Sequence, residues 1–248
     1  MRNSSGNLIY LTDYLKPIND ADLQYYLLSP RNPPPEYTKL HDDVFDFWLS
    51  IWKPTLAAIG YSDSHLHEDF IRQDVVSCIC AGDKVVGVLL FAFYSLDAKA
   101  PKTFRYMTEN YPEEFFTKVK AMGVRTAMSM QYLAVHPDWR GKMNPQAPIG
   151  LLTVGMSYRV RDLYGIDASI APARKDHKVN DLTKAHQSES IISDFISHNV
   201  PCDLIACLSG KPYEHASPQI RAIEKALWEN RIDTTTSSSV APKIKKTA

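Results

Sequence analysis

The sequence predicts an α/β (α+β) fold in which strands and helices share one domain, and three stretches carry that expectation. The first is Asp74–Leu96, where VVSCICA and KVVGVLLFAFYSL flank Gly82-Asp83. A Gly-Asp turn between two apolar, strand-like runs marks a hairpin. The second is Met130–Gly165. It opens with an apolar run of strand length, Met130–Val135, passes through a loop with Pro137, Gly141, Pro145 and Pro148, and continues as a helix over Ile149–Tyr164. Leu152, Met156, Val160, Leu163 and Tyr164 fall close to the 3.6-residue period, and Gly165 is a stop signal. The third is the return to strand patterning at Ile166–Ala171, closed by Pro172, and again at Cys202–Leu208.

In chain order, residues 1–7 read as frayed and Asn7–Thr12 as a strand. Asn19-Asp20 is positioned to cap a short helix over Ala21–Leu28. Ser29–Pro35 contains four prolines and breaks the chain. Tyr37–Ile59 is helical, with Leu40, Val44, Phe47, Trp48, Ile51, Trp52 and Leu56 on a wide apolar face and Pro54 as a potential interruption. After the hairpin, the separating segment 98–124 holds two helices, Thr103–Asn110 and Pro112–Met122, with the carboxylates Glu109, Glu113 and Glu114. Such a cluster is more often a solvated face than a site wall. Asp176–His186 starts as a helix, and Pro218–Asn230 is a helix with Ile220, Ile223, Leu227 and Trp228 on one face. Residues 1–232 make one domain, and 233–248, polar and basic, form a disordered tail.

The 248 residues are 44% hydrophobic, enough for a sizeable core. Lys+Arg and Asp+Glu both number 28, so the chain lacks the overall basic charge that broad nucleic-acid binding needs. It has no apolar run long enough to span a membrane, and MRNSSGNLIYLTDY has no apolar signal core, so the expected location is cytoplasmic. Cys78, Cys80, Cys202 and Cys207 lie in or beside apolar runs and read as buried free thiols rather than a zinc set. His65-x-His67 beside Glu68 and Asp69 sits in a polar connection and reads as a surface loop, so no metal site is expected.

Strand, loop and helix together turn a helix N-terminus into an anion site, and Arg140 and Lys142 add donors there. The wording is more specific. Val135-x-Pro137-x-x-Arg140-Gly141-Lys142, followed by Ile149-Gly150-Leu151-Leu152, resembles the acyl-CoA loop of the GCN5-related N-acetyltransferase (GNAT) superfamily, V-x-P-x-x-R-G-K-G-I-G-x-L-L. Met143–Pro148 stands where that pattern has a single glycine, so the loop is about five residues longer, and Pro145 and Pro148 have no N–H to donate. The resemblance covers roughly residues 70–210.

The resemblance implies a mixed, mainly antiparallel twisted sheet flanked by helices, with 98–124 as a helical insertion before the cofactor strand. It implies an N-acyltransferase that moves an acyl group, by expectation acetyl, from acetyl-CoA or another acyl-CoA to a small-molecule or protein amine. No nucleic acid or membrane partner is implied, and a homodimer is compatible with it. The strands Met130–Val135 and Ile166–Ala171 are expected to splay, with pantetheine between them along Leu133, Ala134 and Val135. Arg140, Gly141, Lys142, Ile149, Gly150 and Leu151 are the expected pyrophosphate site, and Asn180 the expected partner of the pantetheine arm. Two departures bear on catalysis. The tyrosine that commonly protonates the leaving thiolate is missing, since no Tyr lies between Ile166 and Val200. The carboxylate often found on the cofactor strand is replaced by Ser129-Met130-Gln131. Candidates for the base are therefore His177, His186, or water ordered by Ser129 or Tyr132. The two histidines are nine residues apart, so on one helix at most one faces the cleft. A catalytically silent acyl-CoA-binding or regulatory module is the alternative.

Overall fold

The computed structural model describes residues 23–140 and 148–235. Its centre is an eight-stranded sheet in the order β6-β7-β5-β4-β3-β2-β1-β8. The strands are β1 Leu23–Leu28, β2 Val75–Ala81, β3 Lys84–Ser95, β4 Thr126–Val135, β5 Ala168–Arg174, β6 Glu189–Ser197, β7 Val200–Leu208 and β8 Ile232–Asp233. Only β4–β5 and β1–β8 pair in parallel; the other pairs are antiparallel. The hairpin of the sequence reading is β2–β3, and the central run Val85–Ala92 of β3 is buried, as the long apolar run predicts for a strand covered on both faces.

Helices cover both faces. On one lie α1 Thr38–Ala58 and α2 Leu66–Ile71, and, over the other half of the sheet, α3 Lys99–Thr103, α4 Arg105–Asn110 and α5 Glu113–Ala121. On the opposite face lie α6 Ile149–Leu163, α7 Val179–Ala185 and α8 Pro218–Glu229. Helix α1 runs through Pro54 without interruption. Among the described residues no helix is long and apolar enough to cross a membrane.

Several expectations change. Of the expected helix Ala21–Leu28, the described part, Leu23–Leu28, is strand β1, paired along its whole length with β2. Its run LQYYLL suits a buried sheet position, and tertiary pairing overrides a weak capping signal. The expected helix Thr103–Asn110 is divided into α3 and α4 at Phe104, whose backbone is extended. Leu66–Ile71 is helix α2 rather than surface loop, burying Leu66, Asp69 and Phe70. The described order passes the 233 boundary: Asp233 lies in β8 and Thr234 Oγ1 donates to the carbonyl of Leu27 at 3.1 Å. The four cysteines are free and buried. The expected strand Asn7–Thr12 lies outside the described residues.

Candidate functional site

Strands β4 and β5 pair only from Ala127↔Ala168 to Ser129↔Ile170. Beyond that point they part, and a cavity of about 580 Å³ occupies the wedge. Met130, Leu133 and Val135 of β4 form one wall and Ala171, Pro172 and Arg174 of β5 the other. Helix α6 contributes Ile149, Gly150, Leu151 and Val154, α7 contributes Leu182 and Thr183, and Trp52 of α1 closes the other side.

A bulge shapes β4 at this point. Val88 pairs with Ala134 and Leu90 with Gln131, so Tyr132 and Leu133 together face Leu89. Tyr132 adopts φ 58°, a conformation costly for a residue with a side chain. The bulge sends Leu133 and Val135 to the cavity and Ala134 to the core under α1.

The start of α6 comes close to the sheet because β3 has a glycine beneath it. A Cβ on Gly87 would stand 2.6 Å from Ile149 Cγ2 and 2.8 Å from Thr153 Oγ1. Pro148 at the helix entry makes no side-chain cap, so the first-turn amides face the cavity mouth without one. Arg140 lies at the same mouth, with its Nε donating to the carbonyl of Val135 at 2.8 Å.

No family model matches the sequence, and no curated protein matches it. Solved structures do. Arylalkylamine N-acetyltransferase 7 of the yellow fever mosquito, Aedes aegypti, as that protein is described, superposes with a TM-score of 0.51 at 12% identity, over 71% of this chain and 84% of that one. The chain has the GNAT fold. Two further similar structures are arylalkylamine N-acetyltransferase 2 from Aedes aegypti and an N-acyl amino acid synthase from uncultured soil microbes. The first gives a TM-score of 0.49 at 12% identity, over 75% of this chain and 99% of that one. The second gives 0.48 at 14%, over 75% and 88%.

Within this GNAT fold the residues singled out from the sequence separate. Tyr132, Leu133, Val135, Arg140, Ile149, Gly150, Leu151 and His177 all line the cavity. Gly141 and Lys142 lie outside the described residues. Asn180 does not line it: its amide donates to Asp203 Oδ2 of β7 at 3.4 Å. Burial alone would raise the Asp203 carboxyl, but hydrogen bonds from Lys184, Lys175 and Asn180 hold it below the ordinary range. Thr183 lines the cavity instead, with its hydroxyl donating to the Asn180 carbonyl at 2.9 Å.

His186 also leaves the site. It is fully buried, with Nε2 2.8 Å from Glu224 Oε1 of α8 and Nδ1 3.1 Å from the Leu182 carbonyl. The two histidines do not share a helix: α7 begins at Val179, behind Lys178 at φ 56°, and His177 stands in the turn before it, exposed at the cavity rim. Tyr132 reaches the cavity, but its hydroxyl is turned away, donating to Asp69 Oδ2. Burial, then the adjacent Asp69 charge, pushes that phenol well above its ordinary range, so it is a poor proton donor to a leaving thiolate. Ser129 is buried beneath the insertion, with its Oγ 3.3 Å from the Tyr106 hydroxyl.

Sequence reasoning missed Asp69 and Arg72. Arg72, just past the end of α2, donates from Nε to Asp69 Oδ1 at 2.8 Å and from a terminal nitrogen to Gln131 Oε1 at 2.7 Å, so it and Asp69 brace the bulged stretch of β4. The available signal was a carboxylate and a guanidinium three residues apart on a helix. The insertion carboxylates are outside the cavity: Glu114 pairs with Lys118 at 2.7 Å, Glu113 is exposed, and Glu109 accepts from Tyr61 Oη at 2.6 Å.

Proposed function

We propose that the chain is an N-acyltransferase that moves an acyl group from acyl-CoA to an amine by direct attack. The observation that carries this is the wedge between β4 and β5, which opens on the uncapped start of α6 beside Arg140. A pantetheine arm has an amide-rich backbone, and the unpaired edges of β4 and β5 past Ser129 and Ile170 offer it partners in the manner of an added strand. The first-turn amides of Ile149, Gly150 and Leu151, with the helix dipole and the Arg140 guanidinium, suit a pyrophosphate. Gly141 and Lys142 belong to the same proposed phosphate site.

In the reaction the amine nitrogen attacks the thioester carbonyl. A C–N bond forms, the C–S bond breaks, and the electron pair leaves on sulfur as thiolate. Holding both reactants in one cleft removes much of the entropic barrier. In this reading a main-chain N–H at the bulge stabilises the oxyanion. Among the described titratable side chains at the rim the amine proton has one candidate acceptor, the His177 imidazole; the others there are Arg140, Arg174 and Lys178. The acceptor class is an amine, the class printed for the mosquito protein with the same fold.

Among the described residues no carboxylate lines the cavity, which favours a second reading, an acyl-CoA-binding module without turnover. Incubation with acetyl-CoA and a panel of amines, read as free-thiol release, separates the two. Calorimetry with CoA and acetyl-CoA tests what they share: binding tighter than millimolar is expected. Arg140→Ala should weaken it about ten- to hundredfold, the worth of a charge-assisted bond. Absence of both binding heat and thermal stabilisation overturns both readings.

A further inference from the structure

The two ends of the cleft differ chemically. Its mouth carries Arg140, His177 and Lys178. Inward, toward the point where β4 and β5 part, the walls are Leu89, Met130, Val154 and Ala171, with no side-chain nitrogen or oxygen among them. These four retain 3, 6, 3 and 7% of their surface. Their neighbours on the same elements and in the same core do not: Phe91, Met128, Leu152, Met156 and Ala173 are all at 0%. All four line the cavity, while those neighbours are fully packed.

We propose that this inner end receives a straight acyl chain longer than acetyl. The inference rests on the acyl-CoA reading and names the donor class within it. With pantetheine along the wedge, the thioester carbonyl comes to the bulge, where main-chain groups can meet it. Carbon beyond the carbonyl then has only the apolar inner end to enter. An acetyl group leaves that space to water, which finds too few hydrogen-bond partners on such walls. A longer chain fills it, and each buried methylene raises affinity about fourfold. Met130 is an unbranched side chain that adjusts to such a chain.

The test is calorimetry on the wild-type chain with free CoA and with acetyl-, butyryl-, hexanoyl- and octanoyl-CoA. Affinity should climb about fourfold per methylene beyond acetyl and then level off when the inner end is full. Thiol release with one fixed amine should show its highest kcat/KM at a donor longer than acetyl. Val154→Phe fills the inner end, so the ratio of hexanoyl-CoA to free-CoA affinity should fall tenfold or more. Ala171→Val is the milder variant if circular dichroism shows that the first does not fold. Equal affinity for all the thioesters, or a decline beyond acetyl, overturns the proposal while CoA binding leaves the acyltransferase reading standing. No binding of free CoA or any thioester overturns that reading and this one with it.

Discussion

The Tyr132 hydroxyl donates to Asp69 Oδ2, and this bond fastens the left-handed residue of the β4 bulge to helix α2. The ring is also boxed in by indoles, at 5.6 Å from Trp48 and 5.0 Å from Trp52, both edge-on. Without such support a side-chain-bearing residue at φ 58° relaxes toward regular strand, and the separation of β4 from β5 goes with it. The bulge is thus held from the α1–α2 face while its cavity side stays free for a ligand.

Tyr132→Phe keeps the ring and removes the hydroxyl. Asp69 retains its bond from Arg72, so the loss is one charge-assisted bond, about 1.5–3 kcal/mol. For a chain of this size each kcal/mol lowers the melting temperature by about 2–4 °C. A thermal melt should show that drop. An unchanged melting temperature means the bond does not hold the bulge.

Gly87→Ala tests the approach of α6 to the sheet. The new methyl overlaps Ile149 and Thr153, so the first helical turn must move outward, costing about 1–3 kcal/mol. That turn is also the proposed phosphate site, so CoA affinity should fall together with stability. Lower stability with unchanged CoA affinity would separate the helix start from the ligand.

The parts of the fold that were legible are those with local signals. The hairpin turn at Gly82-Asp83, the apolar faces of α1 and α8, and the strand-to-helix passage into α6 all write their geometry within a few residues. Strand β1 was not legible because a capping signal beside a Leu- and Tyr-rich run is ambiguous until β2 is there to pair with it. Strand β6 escaped because its ladder is broken twice and Asp194 sits at φ 58°, which destroys the alternation a strand is recognised by. The same division runs through the site. The separation of β4 from β5 was anticipated from the motif. The Asp69–Tyr132 and His186–Glu224 bonds join residues 63 and 38 positions apart, and no sequence spacing encodes them.

His177 and His186 should behave oppositely on substitution. His177→Ala removes the imidazole at the rim and should lower turnover about a hundredfold, with CoA binding retained. His186→Ala leaves the buried Glu224 carboxyl without its hydrogen-bond partner and should cost about 1–3 kcal/mol of stability. Gly155 belongs to the same notch, since a Cβ there would stand 2.5 Å from His186 Nε2. Thiol-release kinetics and thermal melts on both variants check this. Normal turnover in His177→Ala across pH 6–9 removes histidine as the base.

Stability should fall on acidification, and His198 is the residue to follow. It stands at the β6–β7 turn, 4.2 Å from the Tyr61 ring and 3.6 Å from Glu109, with Arg105 and Asp69 also acting on it. Burial lowers its pKa below the ordinary value, more than the Glu109 carboxylate raises it. The unfolded chain therefore takes up the proton first, so this contribution is complete above about pH 6.5 and is lost as pH falls through the lowered folded value. His136 and His215, both lowered first by burial, act in the same direction. Asp74, raised by burial, acts oppositely, but only as pH falls toward the carboxylate range. The melting temperature should decline as pH falls from about 6.5 to about 5.5. His198→Gln should make that decline shallower without abolishing it, because two histidines remain. A melting temperature that is flat or rising over this interval, or a slope that His198→Gln leaves untouched, contradicts the assignment.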